Sequence, residues 1–401
     1  MRRQKNHHVV RTSSREFRRP ARTAVMNRER IAVRAARAEA GTRWLGWLMF
    51  ASLVIVLSAA SARAATEEFT FRSDTLTVAN LIGAVELVEN NGSDFRVEAR
   101  VRGKDADRAG IDFDVVDGSR ARLLVEFPVE KHRSYVYPEN RGRTRLSSGY
   151  NHDRGSLLGR IFSAVRGGEL EVRPSGSGLE VWVDLTIYVP REGTLVLENG
   201  VGDIAASDLV ADLKVKSRAG AVNGQALNGD NSFDLGSGRV TLQQVTGDLV
   251  VDTGSGGVTV DGFDGRSISV DTGSGKVSVT DVRTRRFMID TGSGSVHAEG
   301  VAAEEATIDT GSGGVRLALT EMGRGDFLID TGSGAITLLL PDYASASVVA
   351  ETGSGGIDVG LDDVRVIRRE RNEMAFEVGG GDARVVLDTG SGGIRVATRD
   401  R

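Results

Sequence analysis

Apolar and polar residues alternate with period two over most of the chain beyond residue 70, and the alternation restarts at a nearly fixed step. Each restart is marked by a sequence like Asp252-Thr253-Gly254-Ser255-Gly256, whose Asp-Thr-Gly-Ser-Gly core recurs from Asp271, Asp290, Asp309, Asp330 and Asp388. Glu351 and Asp234 open close variants, and Lys216 and Glu198 weaker ones. Successive anchors lie 18, 18, 18, 19, 19, 19, 21 and 21 residues apart, then 37, close to two steps. With the anchor as position D, D−1 is apolar in every unit, from Leu197 and Val215 to Ala350 and Leu387. D+6 is β-branched in every unit, from Ile204 through Val258, Val277 and Val296 to Ile357 and Ile394. Such side chains suit a pleated surface, and spacing of two within each arm places them on one face of a strand.

Between the arms D+4 is always glycine, including Gly256, Gly275, Gly294, Gly313, Gly334 and Gly392. A backbone requirement explains this, either positive φ or close approach of neighbouring turns. D+11 is apolar in the first six units (Leu209 to Val301), and Gly229, Gly247 and Gly265 two residues further on suggest another corner. One coil therefore reads as a strand, a Gly-Ser-Gly corner, a second strand and a short third side. A lone coil cannot bury its faces, so each strand is expected to pair with its counterpart one coil away, about 4.8 Å off. The predicted fold is all-β, a single-chain parallel β-solenoid (β-helix) with coils of about 19 residues.

Stacking places Asp252, Asp271, Asp290, Asp309, Asp330 and Asp388 in one column with the glycines as a second, a structural ladder. Carboxylates about 4.8 Å apart in water repel by about 0.9 kcal/mol per pair. The expected relief is an Asx-turn, in which each carboxylate accepts a corner N–H; protonation and bridging calcium are the alternatives. The Gly-Gly-x-Gly-x-Asp repeat of calcium rolls is absent, so no metal or other cofactor is assigned. The threonines after each anchor share the inward face with D−1 and read as an internal hydroxyl ladder.

Ahead of the repeats the pattern changes. Residues 1–43 hold twelve Arg and Lys5 against three Glu and read as a basic, disordered extension. Uncharged Trp44–Ala62 and Ala62-Arg63-Ala64 follow, so 44–64 is expected to be an export signal cleaved after Ala64; the apolar run is also long enough to stay as a membrane anchor. The length of the basic flank makes Met26 an alternative start. Residues 65–190 read as irregular coils, with Ala79 in the anchor position of Val78–Leu87, and 191–401 as regular ones. Residues 129–178 interrupt them, and Leu157, Leu158, Ile161, Phe162 and Val165 within this excursion fall at helical spacing. Residues 362–387 read as one degenerate coil, leaving the coil from Asp388 to close the stack with a short tail.

Composition agrees with short strands and tight corners: 51 Gly, 6 Pro and 5% aromatic residues among 401. With no cysteine, disulfides and thiolate chemistry are excluded. Of the 51 basic and 55 acidic residues, 14 and 3 lie in 1–64, so the remainder carries 37 against 52, a net charge of −15. That balance disfavours nucleic acid as a partner.

The export signal, the opening Asn80-Leu81-Ile82-Gly83-Ala84-Val85, the Ile187-Tyr188-Val189-Pro190 strand and the stacked Thr-Gly-Ser-Gly corners resemble a family of exported bacterial β-strand-repeat proteins called putative adhesins, a domain of unknown function related to toastrack-like solenoids. The resemblance covers roughly residues 70 to 401 and implies a fold more than an activity.

Met288-Ile289-Asp290-Thr291-Gly292-Ser293 looks like the catalytic loop of pepsin-like proteases. Those enzymes bring two carboxylates together to share one proton, whereas these tetrapeptides are spaced to stack. His132, His152 and His297 show no metal-ligand spacing. No catalytic, cofactor or metal residue is assigned. The expected function is a non-catalytic exported binding or scaffold module whose partner is an unidentified protein or envelope component, touching membrane only through 44–62 if that segment is retained. Envelope-stress sensing from such an anchor, and a carbohydrate-active β-helix enzyme, are the rival readings.

Overall fold

The computed structural model describes residues 66–147, 156–159 and 169–399. The basic extension, the segment 44–64 and most of the expected helix at 157–165 lie outside them.

Nearly all described strands join one 26-stranded sheet, most of it parallel and wound into successive coils. Val258, Val277 and Val296 are in register on consecutive strands. One arm earlier Val251, Val270, Ile289, Ile308 and Ile329 form a second column. All eight are at most 2% exposed. Burying such a side chain contributes about 1.5–3 kcal/mol, repeated at every coil.

The corner glycines exist because coils touch there. A Cβ on Gly275, Gly294 or Gly313 would lie 1.8 Å from the carbonyl oxygen of Gly256, Gly275 or Gly294 in the preceding coil. The second bend is built differently. At D+10 the backbone is left-handed in six consecutive coils, at Asp208, Ala226, Gln244, Gly262, Asp281 and Gly300. This irregularity interrupts the alternation and returns D+11 to the core, with Val245, Phe263 and Val282 buried. No separate third side is formed in the middle coils. Val258–Thr272, Val277–Thr291 and Val296–Thr310 each run unbroken from one coil into the next.

Both ends depart from the parallel pattern. At the N-terminal end Thr75–Ile82 stacks on Thr194–Val201 with Ala79 opposite Glu198. Ala121–Glu126 follows in parallel, and Asp112–Val116 closes that sheet face antiparallel. On the other face Val85–Asn90 is followed by Trp182–Pro190, then Phe95–Arg102 and Thr66–Phe71, the last two pairings antiparallel.

At the C-terminal end the expected order of coils is corrected. Asp326–Thr331 pairs with Ala383–Thr389, and only then does Ala346–Thr352 follow. The step of 37 residues is therefore not two coils outward. The chain lays down Ala346–Thr352 one place too far, makes a hairpin, and returns to fill the vacant place. Residues 365–378 form that hairpin: Glu373–Val378 pairs antiparallel with Ala346–Thr352, and Arg365–Arg369 pairs antiparallel with Glu373–Val378. They are not a degenerate coil, and the coil from Asp388 is interior. Burial agrees: Ile394 is 1% exposed, while Ile357, the equivalent residue of the outer coil, is half-buried.

Candidate functional site

Alternation around the corner fixes what each residue can do. D−1 and the threonine at D+1 point inward, so the anchor between them points out. Thr272, Thr310, Thr331, Thr352 and Thr389 are at most 1% exposed. Each uses its hydroxyl twice. Thr310 Oγ1 donates to the Gly294 carbonyl of the preceding coil (3.0 Å) and accepts from Gly313 N–H in its own corner (3.0 Å). Thr331 repeats this with Gly313 and Gly334, at 2.9 and 3.0 Å. At the returned coil Thr389 donates to Gly334 and Thr352 to Gly392, each at 2.8 Å. The threonines thus bind coil to coil through glycine carbonyls.

The Asx-turn expectation is overturned by the same bonds. The corner N–H goes to threonine, and no carboxylate of Asp252, Asp271, Asp290, Asp309, Asp330 or Asp388 makes a hydrogen bond or ion pair among the described residues. Side by side they form one exposed column in the order Asp234, Asp252, Asp271, Asp290, Asp309, Asp330, Asp388, Glu351. Partial burial, and then the neighbouring carboxylates, hold Asp252, Asp271 and Asp330 above the ordinary aspartate value. Among the described residues no group of three or more His, Asp or Glu side chains is arranged to hold a metal ion. Nor does the column pair two aspartates across facing loops as an aspartic protease would; each carboxylate faces solvent from its own coil.

The column is covered at its start. Glu198, 6% exposed, accepts hydrogen bonds from Ser156 Oγ (2.7 Å), Leu157 N–H (3.2 Å) and Leu158 N–H (2.8 Å). Residues 157–159 are helical, so the carboxylate receives the first amides of that turn. The Glu198 anchor looked like a weak repeat; its added methylene relative to aspartate lets it reach the excursion. Ser134–Val136, Thr144–Leu146 and Leu170–Arg173 of the excursion make a separate three-stranded sheet. Buried Tyr137 packs against Trp182 (5.6 Å between ring centres), and its hydroxyl donates to Glu139 (3.0 Å). Between this sheet and the glycine corners at Gly202, Gly220 and Gly238 lies a cavity of about 310 Å³, lined also by Arg141, Arg143 and Asp203. Arg141 is paired with Asp203 at 3.3 Å and Arg143 with Glu171 at 2.8 Å, so its charges are largely matched. His132 and His297 are far apart in sequence and share no site; His297 lies 3.6 Å from Glu299. His152 lies outside the described residues.

Residues 182–397 match the family Toastrack DUF4097. No curated protein matches the sequence. Three crystal structures are similar over most of the chain. One is a putative cell adhesion protein from Clostridium sporogenes ATCC 15579, 10% identical, covering 84% of this chain and 100% of that one with a TM-score of 0.17. A putative lipid binding protein from Parabacteroides distasonis ATCC 8503 is 11% identical, with coverage of 83% and 97% and a TM-score of 0.34. A putative adhesin from Bacteroides fragilis NCTC 9343 is 12% identical, with coverage of 84% and 98% and a TM-score of 0.28.

Proposed function

This chain belongs to the Toastrack DUF4097 family, and on that premise we propose that it acts outside the cytoplasm as a non-catalytic binding or scaffold module. The observation that carries the reading is the use made of the corner. The motif that resembles a protease loop is used to build the stack: Thr272, Thr310, Thr331, Thr352 and Thr389 each donate to a glycine carbonyl of the neighbouring coil, as Thr310 does to Gly294. The outward-facing groups of the corner are the carboxylates and exposed serines such as Ser255 and Ser274, and they are repeated rather than unique. A repeated exposed column suits recognition of an extended surface better than turnover of one bond. The basic flank, the apolar run Trp44–Ala62 and the Ala62-Arg63-Ala64 site support export. The surplus of acidic residues after Ala64 supports a protein or envelope component as partner over nucleic acid.

The test uses the chain from Ala65, immobilised and exposed to a solubilised envelope fraction. Specific retention of an envelope component is expected, reduced when Asp252, Asp271, Asp290 and Asp309 are all changed to Asn. Equal retention by that variant, or hydrolysis of an acidic polysaccharide or a peptide by the chain, would contradict the reading.

A further inference from the structure

The sheet face that carries the carboxylate column has a free edge strand at each end. At the N-terminal end it is Asp112–Val116, which pairs only with Ala121–Glu126; at the C-terminal end it is Arg365–Arg369, which pairs only with Glu373–Val378 among the described residues. An unpaired edge is a template for another strand. Both edges also leave core-facing side chains open. Val115, opposite buried Leu123, is 42% exposed, and Val366, opposite buried Phe376, is 49% exposed, with Ile367 beside it at 56%.

The two edges carry opposite charge. Asp112–Val116 contributes Asp112 and Asp114, the latter paired with Arg122 at 3.3 Å; Arg365–Arg369 contributes three arginines, of which Arg365 is paired with Glu377 and Arg368 with Glu373 and Glu370. Arg369 makes no ion pair among the described residues, and the Asp112 carboxylate accepts only its neighbour's N–H, from Phe113 at 2.9 Å. Glu67, on the other N-terminal edge strand, is held above its ordinary value by burial and then by Asp112. The ends are also stepped in opposite senses. Past the outermost threaded coil the carboxylate face runs two strands further than its partner face at the C-terminal end, and one strand less at the N-terminal end.

We propose that copies of this chain associate head to tail, strand Arg365–Arg369 of one copy pairing antiparallel with Asp112–Val116 of the next. Strand directions through the sheet make this pairing antiparallel when the stack continues in the same sense. The register that sets Val366 opposite Val115 brings Arg369 to within a residue of Asp112. The charges left without an ion pair among the described residues are Arg369 at one edge and Asp112 at the other, so like ends repel and the unlike pairing is left open; the bulge at Val366–Arg368 further disfavours self-pairing of the C-terminal edge. Such a contact is heterologous and extends into chains rather than closing as a dimer. It does not depend on the binding role above.

The chain from Ala65 contains the whole described core, from Phe71 to Val396, and serves for the test. Sedimentation velocity over a concentration series at low salt is expected to show species growing beyond the dimer. Arg369→Glu and Asp112→Arg are each expected to hold the chain monomeric, and the double variant, in which the charges are exchanged, to assemble again; circular dichroism melts establish that all three stay folded. A chain that is monomeric at several hundred micromolar, a mass that stops at two copies, or single variants that assemble like the parent would each overturn the proposal.

Discussion

Asp330 lies in register against Asp388, although Glu351 is the next anchor along the chain. Asp388 is in turn flanked on its other side by Glu351. The last stretch of chain is thus held between two coils laid down before it, and Ala346–Thr352 meets Asp326–Thr331 only through it.

Removing residues 382–401 should therefore not trim the stack but hollow it. Val385, Leu387, Ile394 and Val396 are each at most 1% exposed, and at about 1.5–3 kcal/mol apiece their loss approaches the whole stability of an ordinary domain. Urea denaturation of the truncated chain is expected to show loss of the cooperative transition or a large fall in its midpoint. An unchanged midpoint would mean that the C-terminal coil is dispensable, as an end coil could be.

Thr310→Val keeps the shape of a buried side chain but strands two polar groups, the Gly294 carbonyl and the Gly313 N–H. A buried group left without its partner costs about 1–3 kcal/mol, so a loss of that order or more is expected. Thr307→Val, on the exposed side of the same strand, should change stability by under about 0.5 kcal/mol. Equal effects from the two would contradict the coil-to-coil role of the hydroxyl.

The carboxylate column makes stability fall with rising pH. Asp271 is raised above its ordinary 3.8 by partial burial and by Asp290, so in the window above that value the folded chain holds a proton that the unfolded chain has released. Stability contributed by this group is lost as pH rises through the window, and the repulsion is fully present above it. Asp271→Asn should stabilise at neutral pH by about 1 kcal/mol or less, since the site is mostly exposed. The gain should shrink in high salt and vanish below pH 3.8. Thermal melts across pH and salt check it; destabilisation at pH 7 would show that the carboxylate has a partner.

Much of this architecture was legible from periodicity alone. Val258, Val277 and Val296 announce their column because the solenoid repeats one local solution, and each solution needs the same residue types. The order of the outer coils was not legible for the same reason. Asp330, Glu351 and Asp388 open interchangeable units, and nothing in an Asp-Thr-Gly-Ser-Gly corner specifies which corner lies above it. The hairpin at 365–378 carries no Asp-Thr-Gly-Ser-Gly corner, the mark by which the coils are recognised, and so read as a degenerate coil. At the candidate site, Asp and Thr can both accept a corner N–H; the alternation that sends threonine inward also gives it the bond. Glu198 was passed over because its partners, Ser156 to Leu158, come from an excursion outside the repeat.

The absence of cysteine makes the central claim, coils stacked in register with the last one returned between its predecessors, directly measurable by crosslinking. In-register neighbours are about 4.8 Å apart, within disulfide range, whereas positions two strands apart, at about 9.6 Å, are beyond the limit of about 7 Å. The double variants Asp330→Cys with Asp388→Cys, and Asp330→Cys with Glu351→Cys, are oxidised in parallel and the disulfide is scored by mass spectrometry. The account predicts a bond in the first and none in the second; a bond only in the second would contradict it.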